Sequence, residues 1–199
     1  MTTDTRDRIR EAALSEFCER GYGACVDDIA RRAGVVKQTL YHHYGSKDAL
    51  FREALVGLAE QLFVELETSH GSLREDLLRF GESFRAKTLG EQGVALTRMI
   101  IAESPRFPEL SRTVFEAGDL ASRSLARRLQ QAMGRGELRE DDAGFAAEML
   151  LALLGGKERD RLLFGIAPDP ARERGRVERI VDCFLQAFAP GTPACQKGN

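Results

Sequence analysis

The sequence contains 199 residues, a length that permits one large domain or a small domain joined to a larger one. Hydrophobic residues make up 43% and charged residues 30%, with only six prolines, which excludes a disordered tail and indicates an ordinary globular protein. The formal net charge of -2 excludes binding of nucleic acid through overall charge, so any surface that binds an anion must be local.

Apolar residues recur at helical spacing from end to end, without alternating β-branched runs, and this pattern predicts an all-α fold. The first helix is expected over about residues 4–20. Ile9, Ala13 and Phe17 share one of its faces, and Gly21 ends it.

Two short helices are expected next, over residues 26–33 and 37–44. Gly34 and Gly45 end them, because glycine readily adopts the left-handed conformation of a helix C-terminus. Ser46 is then expected to cap a long fourth helix that leads out of the small N-terminal unit.

The segment "TSHGS", residues 68–72, is the strongest linker signal in the chain. Helices are predicted beyond it over about residues 73–89, 92–103, 107–133, 141–165 and 172–188. The sequence therefore indicates a small N-terminal domain over residues 4–64 and a larger helical domain over residues 65–199.

The short helix 37–44 separates its polar side chains from its apolar ones. With Leu40 taken as the inward reference at 100° per residue, Val36 and Tyr44 lie within about 40° of it and predict a buried stripe. Gln38 and His42 then point almost directly outward.

Ala30, Gly34 and Leu40 have the spacing of a helix-turn-helix, expected over about residues 25–44. The small side chain of Ala30 lets the helix 37–44 cross closely over the helix before it. An exposed helix of this length, held across two others, fits the major groove of B-DNA.

The segment "VDDIARRAGVVKQTLYHHYGSKDALF" closely resembles the DNA-binding domain of the TetR family of bacterial transcriptional repressors, and "IREAALSEFCERGY" resembles the first helix of that domain. Together they cover about residues 6–55. The segment "RMIIAESPRFPELSRTVFEAG" looks like the ligand-binding domain of one subgroup.

This resemblance implies a homodimer that reads a palindromic operator on double-stranded DNA, with residues 37–44 as the recognition helix. Its C-terminal domain would dimerise and bind a small-molecule effector. Carried over position by position, the DNA contacts would be Lys37, Gln38, Thr39, Tyr41, His42, His43 and Lys47.

The chain departs from the family pattern just before the second helix. The turn from Gly21 to Ile29 is one residue shorter than usual, and Ala24 and Cys25 replace the expected Ser/Thr pair. The second helix thus loses a side-chain cap, a change that costs about 1 kcal/mol of helix stability. Val36 stands where serine is common in the family.

Apolar residues on the central helices predict an effector pocket for a largely apolar molecule, and the same residues fit an ordinary core equally well. The pocket set is Phe80, Phe84, Leu96, Met99, Ile100, Phe107, Phe115 and Leu120.

Two later helices carry wide apolar stripes, which suit a dimer interface built from four helices or the core of one chain. The interface set is Phe145, Met149, Leu150, Leu153, Val177, Ile180, Val181, Phe184, Leu185 and Phe188.

The sequence gives little support for a metal site, a catalytic site or a cofactor site. Side chains of the adjacent His42 and His43 diverge by about 100°, so they cannot chelate one metal together. No catalytic motif, phosphate loop or cofactor fingerprint is present, and we expect neither an enzyme nor a cofactor.

The cellular setting follows from segments that the sequence lacks. The N-terminus has no apolar signal segment, and no apolar run reaches the roughly 18 residues of a membrane helix. The four cysteines show no C-x-x-C spacing, so reduced thiols are the default, with a redox role for Cys18 or Cys25 as the alternative. We expect a cytoplasmic protein that does not bind membranes.

The resulting hypothesis is a transcriptional repressor that a small molecule releases from its operator. One alternative is a DNA-binding or architectural protein of the same fold that needs no ligand, and a more remote one is a small-molecule enzyme.

Overall fold

The computed structural model describes residues 4–67 and 71–191, and all regular elements in these ranges are helices. In chain order they are α1 (Thr5–Arg20), α2 (Val26–Ala33), α3 (Lys37–Tyr44), α4 (Lys47–Glu67), α5 (Leu73–Leu89), α6 (Glu91–Glu103), α7 (Pro108–Gly134), α8 (Ala143–Leu163), α9 (Pro170–Glu173) and α10 (Arg176–Ala187). The all-α prediction is confirmed, and α2, α3 and α5 have the predicted bounds. Residues 68–70 of the predicted linker, with His70, and Cys195 lie outside the described residues.

The chain forms two compact units, one of residues 1–60 and 90–118 and the other of residues 61–89 and 119–199. In the first unit α1 packs against both α2 and α6. This unit therefore includes α6 and the start of α7, which lie beyond the predicted N-terminal domain of residues 4–64. The division at residue 64 stays a prediction.

An aromatic cluster lies at the centre of the first unit. The ring of Phe51 meets those of Phe17 and Tyr22 edge-on, with centroids 5.2 Å apart in both pairs. Ile9 and Ala13 are buried beside this cluster, as their helical spacing predicted. The short helices are too short to be stable alone, so the burial of these side chains must stabilise them.

The second unit has its own core, built from α5, α7, α8 and α10. Phe80, Leu150 and Phe184 are among its fully buried side chains. A buried ion pair joins two of these helices: Arg128 Nη2 lies 2.8 Å from a carboxylate oxygen of Asp76. Within the residues that the structure describes, no helix is long and apolar enough to cross a membrane.

The predicted helix 141–165 is interrupted in the structure. Gly156 has φ 51° and ψ -165°, a non-helical conformation inside α8 that is essentially restricted to glycine. The guanidinium of Arg85 donates a hydrogen bond to the carbonyl of Leu154 at this break and forms an ion pair with Glu173. The predicted helix 172–188 is divided as well, into α9 and α10, where Gly175 has φ 63°.

Candidate nucleic-acid interface

The turn between α2 and α3 has the geometry that the sequence predicted. Gly34 adopts the left-handed conformation with φ 67° and ψ 35°, and Val35 donates a backbone hydrogen bond of 3.0 Å to the carbonyl of Ala30. This bonding satisfies carbonyls at the end of α2 and redirects the chain sharply. Ala30 is buried at the base of the turn, so α3 can cross closely over α2.

Two side chains anchor α3 to the rest of its unit. Leu40 is fully buried, and Tyr44 is buried with its hydroxyl donating a 2.8 Å hydrogen bond to the carbonyl of Arg6 on α1. The guanidinium of Arg6 also lies 5.6 Å from the centre of the Tyr44 ring. The prediction that Leu40 and Tyr44 are core residues is confirmed.

The predicted burial of Val36 is wrong, because 67% of this residue is exposed. Val36 is the N-cap of α3 and has extended backbone angles, φ -83° and ψ 151°, so the helical wheel does not apply to it. In extended backbone, successive side chains point in opposite directions. Val35 packs partly against the core, and Val36 therefore points away from it.

The remaining side chains of α3 form the recognition face, defined as Lys37, Gln38, Thr39, Tyr41, His42 and His43. Thr39 and His43 are partly buried, and the others are exposed. The face carries amide, hydroxyl, imidazole and ammonium groups, which can bond base edges and phosphates. Leu40 and Tyr44, which are one helical turn apart, thus anchor one side of α3, and the other side of the helix is polar and mostly exposed.

Lys37 is paired within the chain. Its ammonium lies 3.0 Å from a carboxylate oxygen of Asp27 on α2, and this contact lowers the pKa of Asp27 and raises the pKa of Lys37. The thiol of Cys25 approaches the same carboxylate oxygen at 3.5 Å. Phosphate binding by Lys37 would therefore compete with Asp27. Sequence reasoning missed Asp27, since only the crossing of α2 and α3 brings it to the recognition face.

Lys47, the remaining predicted DNA contact, lies at the start of α4. Its ammonium is 4.9 Å from the centre of the Tyr22 ring, and burial lowers its pKa. The Tyr22 hydroxyl donates a hydrogen bond to Asp48, and burial followed by this bond raises the tyrosine pKa. Ser46 caps α4 as predicted, because its hydroxyl accepts a 3.0 Å hydrogen bond from the Ala49 amide.

A network of ion pairs fixes α2 against α1. The buried carboxylate of Glu16 lies 3.2 Å from Arg32 and 3.3 Å from Arg20, and Arg32 also makes two hydrogen bonds of 2.8 and 2.9 Å to Glu19. The two-pronged geometry favours one orientation of the helices. This network positions the surface from which α3 projects, and no spacing rule in the sequence predicted it.

The start of α2 lacks a side-chain cap, as predicted. Cys25 occupies the N-cap and makes no capping hydrogen bond, while Ala24 is buried. Asp27 and Asp28 in the first turn interact favourably with the positive end of the helix dipole. The acidic residues thus compensate in part for the missing hydroxyl.

The predicted pocket residues do not share one core. Phe80 and Phe84 pack in the core of the second unit, whereas Leu96, Met99, Ile100 and Phe107 pack in that of the first. Phe115 is 74% exposed, and the side chain of Leu120 lies outside the described part of the structure. The pocket therefore stays a prediction.

The predicted dimer interface divides into buried and exposed members. Leu150, Val177, Val181, Phe184 and Phe188 are buried in the core of their own unit, which fits the alternative that these stripes form the core of one chain, and the interface stays a prediction. They pack there because the stripes on α8 and α10 are wide enough to meet α5 and each other. Phe145 and Leu153 are 52% and 41% exposed, and Met149, Ile180 and Leu185 are partly exposed.

No group of His, Cys, Asp and Glu that could hold a metal ion occurs among the described residues. Cys18, Cys25 and Cys183 are free thiols. Burial raises the pKa of Cys18, which makes its reactive thiolate form less accessible.

Two family models match the chain. Residues 9–54 match the model described as bacterial regulatory proteins, tetR family, and residues 75–190 match the AefR-like transcriptional repressor, C-terminal domain. The first match contains α2, α3 and every predicted DNA contact.

Curated relatives give similar matches. The transcriptional repressor KstR2 of Mycobacterium tuberculosis is 37% identical over 82 residues, which are 41% of this chain and 41% of KstR2. The transcriptional regulator UidR of Escherichia coli K12 is 26% identical over 156 residues, 76% of this chain and 79% of UidR. The chain thus spans about two fifths of the length of KstR2.

Solved structures share the fold over nearly the whole chain. A TetR-family transcriptional regulator from Mesorhizobium loti superposes with a TM-score of 0.73 at 27% identity, over 92% of this chain and 94% of that one. The flavonoid-responsive regulator FrrA superposes with a TM-score of 0.69 at 31% identity, over 94% and 98%. The similarity extends through both halves of the chain.

Proposed function

Because this chain belongs to the TetR family of bacterial DNA-binding transcriptional regulators, we propose that it is a cytoplasmic homodimeric repressor that a small molecule releases from a palindromic operator. The observation that carries this proposal is the recognition face of α3, which is polar and mostly exposed while Leu40 and Tyr44 anchor the other side of the helix.

In this mechanism α3 enters the major groove. Gln38 and His42 present donors and acceptors to base edges, and Lys37 and Lys47 neutralise phosphates. Further hydrogen bonds to the phosphate backbone of the DNA come from Thr39, Tyr41 and His43. Two copies of α3 in a dimer meet successive major grooves about 34 Å apart, which makes the operator palindromic.

The exposed apolar residues of α8 support dimerisation. Phe145, Met149 and Leu153 follow each other at intervals of four residues, so they lie along one face of the helix. Two copies of this face, with Ile180 and Leu185 of α10 beside it, would form a four-helix seam.

Repression and effector release are supported by the relatives. KstR2 is a repressor, IcaR of Staphylococcus epidermidis is a negative regulator, and FrrA responds to flavonoids. Effector binding would favour a conformation in which the two α3 helices no longer match adjacent grooves. The effector-bound dimer would then leave the operator through a shift of population.

DNA binding is tested with the intergenic fragment upstream of the gene for this chain. Fluorescence anisotropy at moderate salt should give a Kd at least 1000-fold lower for this fragment than for a shuffled duplex, because specific binding exceeds nonspecific binding by about that factor or more. Equal affinity for both duplexes would refute the proposal.

Effector release is tested by a thermal-shift screen of small molecules, including flavonoids. A true effector raises the Tm and lowers the affinity for the operator, since both follow from preferential binding to one conformation. Compounds that raise the Tm without changing DNA affinity would instead favour a DNA-binding protein that needs no ligand.

A further inference from the structure

We infer that Val36 reads the C5-methyl group of a thymine in each half of the operator. The inference rests on the proposed function, and it concerns a residue that lies just before the recognition face. In residues 4–57 the exposed large apolar side chains are Val36 and Tyr41, and both belong to α3 or its cap. The two large apolar side chains that are exposed in this range thus lie on or beside the recognition face.

The backbone gives Val36 a fixed direction. Its carbonyl accepts the first hydrogen bonds of α3, from the amides of Thr39 at 2.9 Å and Leu40 at 3.3 Å. Val35 on one side packs against the core, and Lys37 on the other is held by Asp27. The side chain of Val36 therefore projects beside Lys37 from the N-terminal end of the helix.

The N-terminal residues of a recognition helix lie nearest the base edges in the major groove. An isopropyl group offers no hydrogen bond there, and the one apolar feature of a base pair in that groove is the thymine methyl. A valine at this position therefore selects for the methyl group of thymine. A serine at the same position would instead contact a phosphate or the polar edge of a base.

With Val36 at its N-cap, α3 lacks a side-chain capping hydrogen bond. Val36 cannot accept a hydrogen bond from the amides of the first turn, whereas Ser, Thr, Asp or Asn at an N-cap can. Val36→Ser should therefore fold at least as well as the original protein, because it restores a cap while removing both methyl groups. A loss of discrimination in this variant cannot be attributed to unfolding.

The experiment uses an operator selected with the original protein from a library of random duplexes. Each thymine is then replaced by deoxyuridine, which removes the methyl group and leaves the hydrogen-bonding pattern unchanged. At one thymine per half-site we expect about a fourfold loss of affinity, and about fifteenfold when both half-sites are changed. Removal of one methyl group from an apolar contact costs about this much.

Val36→Ser should bind the thymine and deoxyuridine operators equally, and Gln38→Ala should keep the original preference at that base pair. If deoxyuridine is tolerated at every position, or if Val36→Ser keeps the preference for thymine, Val36 does not read a methyl group. Failure to select any operator would instead refute the proposed function itself.

Discussion

Helices α3 and α8 both expose one side, and the two sides differ in chemistry. The exposed side of α3 carries Lys37, Gln38 and His42, whereas the exposed side of α8 carries Phe145 and Leu153. Polar groups on a projecting helix keep their hydration until a polar partner replaces it, but exposed aromatic and aliphatic groups gain free energy when any apolar surface covers them. The first side therefore suits DNA and the second suits another protein chain.

The two helices also differ in how many of their residues are buried. Leu40 and Tyr44 are the two buried residues of α3, while α8 buries side chains along most of its length. A short helix with two anchors depends strongly on each of them.

The largest effect is expected from Leu40→Ala. Deletion of this fully buried side chain should lower the free energy of unfolding by about 2–5 kcal/mol, through lost burial and the cavity left behind. Urea unfolding followed by circular dichroism measures the change. Val36→Ala, on the same helix but exposed, should shift the free energy of unfolding by less than about 0.5 kcal/mol. Similar costs for both variants would contradict the anchoring of α3.

The next effect is on assembly. The double variant Phe145→Glu and Leu153→Glu should raise the dimer Kd about 100-fold or more, because charges replace apolar contacts in both copies of the interface. Sedimentation velocity over a range of concentrations measures it. Ile101→Glu, an equally exposed apolar site in the other unit, is the control and should leave the dimer intact. A double variant that remains dimeric would place the interface elsewhere.

A smaller effect separates base reading from phosphate binding. Gln38→Ala should weaken operator binding by about 1–3 kcal/mol with little change for random DNA. Lys47→Gln should weaken binding to operator and random DNA alike. It should also reduce the slope of log affinity against log salt concentration by about 0.9 per protomer. Anisotropy titrations at several salt concentrations distinguish the two. Lys157→Gln on α8 serves as the charge control, and identical behaviour of Gln38→Ala and Lys47→Gln would refute the assignment.

The smallest effect concerns the pair of Asp27 and Lys37. Asp27→Asn should strengthen binding to all DNA a few-fold, since it releases Lys37 and removes a negative charge beside the phosphates. Asp182→Asn removes a carboxylate from a similar exposed pair, with Arg74, and should have no effect. Weaker DNA binding by Asp27→Asn would show that the pair helps to orient Lys37 for contact.

The same pair predicts a pH dependence. Lys37 lowers the pKa of Asp27 below its ordinary value of 3.8, so the stability from this pair is present above about pH 4 and is lost as the pH falls through the lowered pKa. In an NMR titration of the carboxyl group, Lys37→Ala should raise the pKa of Asp27. An unchanged pKa would mean that the ion pair does not form in solution.

Local patterns in the sequence determined much of the first unit. Glycines at the ends of α1, α2 and α3, the serine before α4 and the spacing of Ile9, Ala13 and Phe17 are properties of single turns and single helices, and the structure confirms them. Short-range rules suffice where a residue and its partner lie within one turn of helix.

Tertiary structure decided the features that depend on neighbours distant in the sequence. Asp27 meets Lys37 because α2 and α3 cross, and Leu150 and Phe184 are core residues because α5 packs against α8 and α10. The spacing of an apolar stripe is the same whether its own chain or a partner covers it. The sequence alone thus determined the short helices of the first unit, the glycines that end them and the polar side of α3. Packing decided where the helices near the C-terminus are interrupted, which apolar sides remained exposed and which charges were already paired.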